Sequence, residues 1–220
     1  MSEQTTAVKY ASLRDRAYWA IKDAIIHCRY KPGEPLLEER VSRELGVSRT
    51  PVREALRELQ RDGLVRYIQG KGAFVADISI QDVHEVFFLR RVLEAAALRV
   101  TIQRYRKEDL EPLIELFSGL DRKVESLDYD ALFESDIRLH GFIVDMAGNK
   151  RLTHFVSVLG DQIERLRRVS ATMPGRMRQS LEEHRAILAA IQARDVESAE
   201  SRLMRHLNNV EKTVLVVSGY

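Results

Sequence analysis

The chain has 220 residues, a formal net charge of +2, one cysteine, 45% hydrophobic and 31% charged residues. That length holds one small and one larger domain, and a single cysteine excludes an intrachain disulfide framework. The first ten residues are polar with no apolar core of a signal peptide, and no window approaches a ~20-residue apolar run, so the expectation is a cytoplasmic protein without membrane partners.

In chain order, Leu13, Ala17, Ala20, Ile21, Ala24, Ile25 and Cys28 recur on one face, predicting an amphipathic helix over about 13–28 with Cys28 in its core. Lys31-Pro32-Gly33-Glu34-Pro35 ends that helix and turns the chain. Leu37, Val41 and Leu45 stand at i, i+4, i+8, and Gly46 is a typical helix stop. Next comes Gly46-Val47-Ser48-Arg49-Thr50-Pro51-Val52-Arg53-Glu54-Ala55-Leu56-Arg57-Glu58-Leu59. Ser48 is a good N-cap and Pro51 suits a first turn. Val52, Ala55, Leu56 and Leu59 repeat as a buried face, while Arg49, Arg53 and Arg57 form an outer ridge.

Two short helices joined through a glycine make a helix-turn-helix, and an apolar helix with an arginine ridge is shaped for a major groove. Asp62-Gly63 stops this reader helix. Leu64–Ile68, a Gln69-Gly70-Lys71-Gly72 tip and Ala73–Val75 then predict a β-hairpin. Three helices and a hairpin form a winged helix-turn-helix, with Gln69, Gly70 and Lys71 at the wing tip. Charge agrees: residues 1–76 carry 14 Lys+Arg against 10 Asp+Glu, and residues 77–220 carry 21 against 23.

From residue 78 onward only helical periodicity appears. Six helices are expected, at roughly 80–104, 108–126, 129–147, 150–172, 177–193 and 195–217, with Asp128, Asn149 and Asp195 as caps. Short links make neighbours antiparallel. The fold class is therefore mainly α: a winged helix-turn-helix over 1–76, then an all-α antiparallel bundle of about six helices over 77–220.

Asp136 and His140 are one helical turn apart. His184 and His206 lie ten residues before and eleven after the turn near Asp195, so at ~1.5 Å per residue both stand about 15 Å from it. Three imidazoles and a carboxylate at one level of a bundle can form a first-row metal site with open positions; core histidines remain the alternative. His27, His84 and His154 read as surface or hydrogen-bonded histidines.

Residues 13–75 closely resemble the DNA-binding domain of the GntR family of bacterial transcription regulators. The resemblance rests on Pro32-Gly33, the Gly46–Leu56 motif, Asp62-Gly63-Leu64-Val65 and Gly70-Lys71-Gly72-Ala73-Phe74-Val75. It implies that Ser48, Arg49 and Arg53 meet phosphates and bases and that the Gln69-Gly70-Lys71-Gly72 tip enters the minor groove; Thr50 and Arg57 of the same helix are further expected DNA contacts. Glu39 departs from the pattern, standing where some relatives carry a DNA-contacting arginine; Arg40 or Arg43 would take over that contact.

Asp136-x3-His140, Glu183-His184-Arg185-Ala186-Ile187-Leu188 and Arg205-His206-Leu207 look like the FCD effector domain of the FadR-like GntR subgroup. That resemblance implies a divalent metal ion (Zn, Ni or Mn) on Asp136, His140, His184 and His206, with a small carboxylate effector beside it. By the Arg-x-x-Leu-Glu spacing it also implies an effector contact from Arg90, the alternative being an ion pair with Glu94. The expectation is a ligand-responsive regulator rather than an enzyme, a homodimer on an inverted-repeat double-stranded DNA operator. A sensor for the metal itself, a structural metal and a metalloenzyme are its rivals.

Overall fold

A computed structural model describes residues 12–126 and 128–220; the polar first ten residues lie outside them. The chain divides into two compact units, residues 1–78 and 79–220.

The first unit contains α1 (Leu13–Ile26), α2 (Glu38–Leu45), α3 (Arg49–Arg61), β1 (Val65–Ile68) and β2 (Gly72–Val75). α1 packs against α3, and α2 and β1 close on α3. The core between them takes the predicted faces: Ala17, Ile21 and Ile25, then Val41, then Val52, Ala55, Leu56 and Leu59 are essentially inaccessible. Burying each of the larger side chains contributes about 1.5–3 kcal/mol before entropy is counted. Gly46 ends α2 in the left-handed region at φ 62°, where a Cβ would be strained. The wing is an antiparallel pair with Val65 opposite Val75 and Ile68 opposite Gly72.

Three local expectations are corrected here. α1 stops at Ile26, and half-buried Cys28 lies in the following turn at φ 55°, off the apolar face. Leu13, expected on that face, is 56% exposed, because it sits in a first turn that the core does not reach. Ser48 occupies the N-cap of α3, but its side chain makes no cap hydrogen bond.

The second unit is helical throughout its described residues: α4 (Ile80–Arg104), α5 (Lys107–Ser118), α6 (Leu120–Glu125), α7 (Tyr129–Met146), α8 (Lys150–Val158), α9 (Gly160–Ala171), α10 (Arg176–Gln192) and α11 (Val196–Val217). Asp128, Asn149 and Asp195 accept backbone N–H bonds at the starts of α7, α8 and α11. Two of the six expected helices are each broken once. Gly119 separates α5 from α6, and Leu159 with Gly160 separates α8 from α9, with ψ near 0° at Gly119 and Leu159. Glycine is about 1 kcal/mol poorer than alanine inside a helix, so a turn there costs little. α11 lies against α4, α10 and α9, and α7 packs against α4 and α10. This brings the inner faces of α4, α7, α10 and α11 to one level.

Candidate metal centre and nucleic-acid interface

At that level α7 presents Asp136 and His140, α10 presents His184 and α11 presents His206. One donor atom from each lies within 4.8 Å of all the others. His184 Nε2 is 3.2 Å from His206 Nε2 and 3.3 Å from Asp136 Oδ1, and His140 Nε2 is 3.7 Å from that same oxygen. Donors about 2.0–2.1 Å from a shared tetrahedral ion would stand ~3.3 Å apart, so the shorter spacings suit one and the widest in the group, up to 4.8 Å, would close on binding. All three imidazoles are buried.

Each ring's direction has a cause. His140 Nδ1–H donates to Glu94 Oε2 at 2.6 Å, and His206 Nδ1–H donates to Glu183 Oε2 at 2.7 Å, which turns both Nε2 lone pairs inward. Such outer carboxylates fix the tautomer of a ligating histidine and raise its basicity. They are held in turn: Glu94 Oε1 accepts from Arg90 Nε at 2.7 Å, while Glu183 accepts from Arg176 and from Asn209. His140 Nε2 is buried without a hydrogen-bond partner, while Asp136 turns Oδ1 toward the histidines and is ion-paired to Arg167 through Oδ2. Leaving a buried polar atom unmade costs about 1–3 kcal/mol, which a cation at this point would relieve. The four residues fit a divalent ion by donor type, by grouping and by the unpartnered nitrogen of His140.

The electrostatics suit the same use. Burial, then the neighbouring His184, pushes His206 down to about 3 against the opposing Glu183. Burial also lowers His140, outweighing Glu94. Both imidazoles are therefore neutral near pH 7, as metal ligation requires. Burial alone would raise Asp136, but Arg167 and the imidazoles outweigh it and hold the carboxyl well below its usual range.

Arg90 forms the ion pair with Glu94 that the sequence left open as its alternative. Its guanidinium is 2% exposed, bonded to Glu94 and 3.4 Å from His140 Nδ1, and it lines neither cavity beside the centre. Four residues further along its helix, Glu94 captures it at i+4. Sequence reasoning missed Glu94 and Glu183 as supports and Arg167 altogether. Glu183 precedes His184 directly, a usable signal, whereas Arg167 sits in Arg165-Leu166-Arg167-Arg168 and resembles any solvated basic run. Arg167 Nε is 2.5 Å from Asp136 Oδ2. Burial pulls this guanidinium below its ordinary range, with Asp136 opposing.

In the first unit, Ser48, Arg49, Thr50, Arg53 and Arg57 are exposed along one side of α3, and Gln69, Gly70 and Lys71 are exposed at the wing tip. Two of the arginines are held by α2. Arg53 bonds Glu38 through Nε at 2.9 Å and Nη2 at 2.7 Å, and Arg49 Nη2 is 3.1 Å from Glu39. Arg40 is turned toward Glu34, Glu44 and the Tyr30 ring, whereas Arg43 is 78% exposed.

A helix-turn-helix with an arginine-bearing reader helix and a wing, followed by a helical unit with a buried polar centre, defines a two-unit DNA-binding transcription regulator. Residues 13–75 match the gntR family of bacterial regulatory proteins and residues 85–209 match the FCD domain. The chain belongs to the GntR family and carries an FCD domain. It is 27% identical to the HTH-type transcriptional repressor RspR of Escherichia coli (strain K12), over 97% of this chain and 94% of that one. Among solved structures it is similar to a GntR transcriptional regulator from Rhodococcus sp. RHA1, with TM-score 0.71, 25% identity and coverage of 94% and 98%. It shares the fold of the metal-free FCD domain of TM0439, with TM-score 0.56, 23% identity and coverage of 64% and 97%. The family and these relatives are transcription regulators, not enzymes. No helix among the described residues is long and apolar enough to cross a membrane.

Proposed function

We propose that this regulator acts as a homodimer whose two winged units grip an inverted-repeat operator, and that a small organic acid bound beside a divalent metal sets its affinity for DNA. Residues 1–76 would carry the DNA-binding role and residues 77–220 the effector-binding and dimerisation roles. The observation that carries the reading is the convergence of Asp136, His140, His184 and His206, with two rings aimed by Glu94 and Glu183. Three protein nitrogens and one carboxylate fill a four-coordinate ion, so a ligand oxygen would enter by raising Zn, Ni or Mn to five or six donors.

Dimerisation is supported by Phe88, Leu89 and Val92 of α4, which are 61%, 41% and 52% exposed along one side of that helix. A run of that kind on a soluble protein marks a partner surface. Ser48, Arg49, Thr50, Arg53, Arg57 and the Gln69–Lys71 tip would meet the operator, with base edges and phosphates divided among them.

Coupling requires that the acid bind one dimer arrangement better than the other. The test is an operator-binding titration of chelated protein, Zn²⁺-loaded protein and loaded protein with a panel of carboxylic acids. An acid-dependent shift seen only with the metal present supports the reading. DNA affinity that follows free metal and ignores every acid would make the ion the signal.

A further inference from the structure

The exposed side of α4 is sorted by charge along its length. Asp82 and Glu85 stand near its start, Arg99 and Arg104 near its end, and the exposed residues between Glu85 and Arg99 are the uncharged Phe88, Leu89, Val92 and Ala96. Val92 is the midpoint of this pattern, with Glu85 and Arg99 at equal distances along the chain on either side of it and Phe88 and Ala96 likewise. A second copy lying antiparallel across Val92, about a twofold axis, therefore sets acid against base and the bulkiest of these side chains against the smallest. A twofold contact is self-complementary in this way, each residue meeting a different one and being met by it. Parallel pairing of the same faces would set like charges together.

The surface beside Ala96 is hollow. A groove of about 640 Å³ runs between the C-terminal half of α4 and the start of α8, lined by Ala96, Val100, Arg104, Gly148, Lys150 and Leu152 among others. Helical side chains lean toward the N-terminus of their own helix. In an antiparallel pair, Phe88 of the partner subunit thus leans past Ala96 toward Val100 and into this groove. Exposed Lys150 and Arg151 stand in the groove wall with Arg104, so the basic end of the strip is broadened by α8 where the acidic end of the second copy would arrive.

The charges are engaged only at the surface within one chain. Arg99 meets Glu200 through Nε and Nη2, and Glu85 accepts from Gln81. Exposed pairs of this kind are worth about 0–1 kcal/mol and yield to a partner.

We propose that two copies pair through α4, antiparallel about Val92, with Phe88 of each seated in the α4–α8 groove of the other and Glu85 of each facing the other's Arg99. This rests on the homodimer reading above and specifies its register and contact pairs.

The test is analytical ultracentrifugation of the full chain, with a circular dichroism melt on every variant. Wild type should be a dimer. Glu85→Arg and Arg99→Glu should each raise the dimer dissociation constant roughly 10-fold or more, because each sets like charges together twice across the axis. Mixed in equal amounts, these two variants should form a heterodimer with affinity near that of wild type, since each then offers the charge the other lacks. Phe88→Asp should abolish the dimer. In a Cys28→Ser background, Val92→Cys should give a disulfide-linked dimer on mild oxidation, and Ile80→Cys, whose copies would stand ~36 Å apart, should not. The cross-link decides the register if a charge variant does not fold. A wild-type dimer that survives Phe88→Asp would overturn the α4 pairing and leave a homodimer through another face. A dimer lost in Phe88→Asp but not recovered in the mixture, or not cross-linked through Val92→Cys, would overturn the register. A monomeric wild type would overturn both this pairing and the homodimer reading on which it rests.

Discussion

His184 and His206, twenty-two residues apart on antiparallel helices, bring their Nε2 atoms to 3.2 Å with both rings buried. The pair is held by the turn between α10 and α11, where Arg194 takes φ 55° and Asp195 caps α11. His206 donates through Nδ1 to Glu183, so its Nε2 offers a lone pair at this contact, and a cation between the two nitrogens would take the place of the hydrogen bond that joins them.

That relationship sets the first prediction. Purified protein should hold about one divalent ion per chain, and His206→Ala should lose most of it. Since the ion binds only the folded state, saturating Zn²⁺ at 100 times its dissociation constant should stabilise wild type by about 2.7 kcal/mol. Elemental analysis and thermal melts with and without chelator check this; His206→Ala should show no zinc-dependent shift.

Arg90 supplies a second prediction, which separates its ion pair with Glu94 from an effector contact. It neutralises Glu94 deep in the core, so Arg90→Met should leave a buried carboxylate unpaired and destabilise the second unit by about 3–5 kcal/mol. The double variant Arg90→Met/Glu94→Leu should recover part of that loss. Urea unfolding of the three variants in chelator separates this from an effector role, under which Arg90→Met would fold normally and lose only its response to acid.

The centre should also make the metal-free protein acid-sensitive. His206 titrates at about 3 when folded, against roughly 6.5 in an unfolded chain. Between those values the unfolded state binds the extra proton, so stability is lost as pH falls below about 6.5 and continues to fall toward 3. One such histidine costs roughly 1.4 kcal/mol by pH 5.5. Glu183, at about 2 against an ordinary 4.5, adds to the loss only as pH falls from about 4.5 toward 2. Urea midpoints at pH 7.5 and 5.5 in chelator should therefore fall, and His206→Asn should flatten the dependence.

Much of the fold was legible because its signals are local. The i, i+4 face of α3, the glycine stop at Gly46 and the carboxylate or amide caps at Asp128, Asn149 and Asp195 depend on neighbouring residues. The common level of His184 and His206 followed from counting along two helices from one turn. What stayed hidden is non-local. Arg90 and Glu94 share a turn, but that they stand behind His140 depends on how α4 packs on α7. Arg167 is one arginine among three in four residues, and only the rotation of α9 aims it at Asp136. The breaks at Gly119 and Leu159 escaped because the apolar pattern runs through them.

The last prediction concerns the reader helix. Arg53 already has a fixed partner, since Glu38 takes its guanidinium by two nitrogens, and Arg49 lies against Glu39. These are exposed pairs, worth about 0–1 kcal/mol in water, so DNA can displace them. Their effect is to draw both guanidinium groups toward α2 while their charge is partly cancelled. Arg53→Ala should weaken operator binding by about 1–3 kcal/mol if it reads a guanine edge, with no loss of fold, because its Cα sits on the exposed side. Glu38→Gln should strengthen binding to operator and to unrelated DNA alike, by removing a competing carboxylate beside phosphate. Lys71→Ala should lower the salt slope by about one unit with little change in sequence preference. Fluorescence anisotropy across a salt series, on operator and scrambled duplexes, distinguishes the three. Unchanged operator affinity in both Arg49→Ala and Arg53→Ala would remove α3 from the proposed interface.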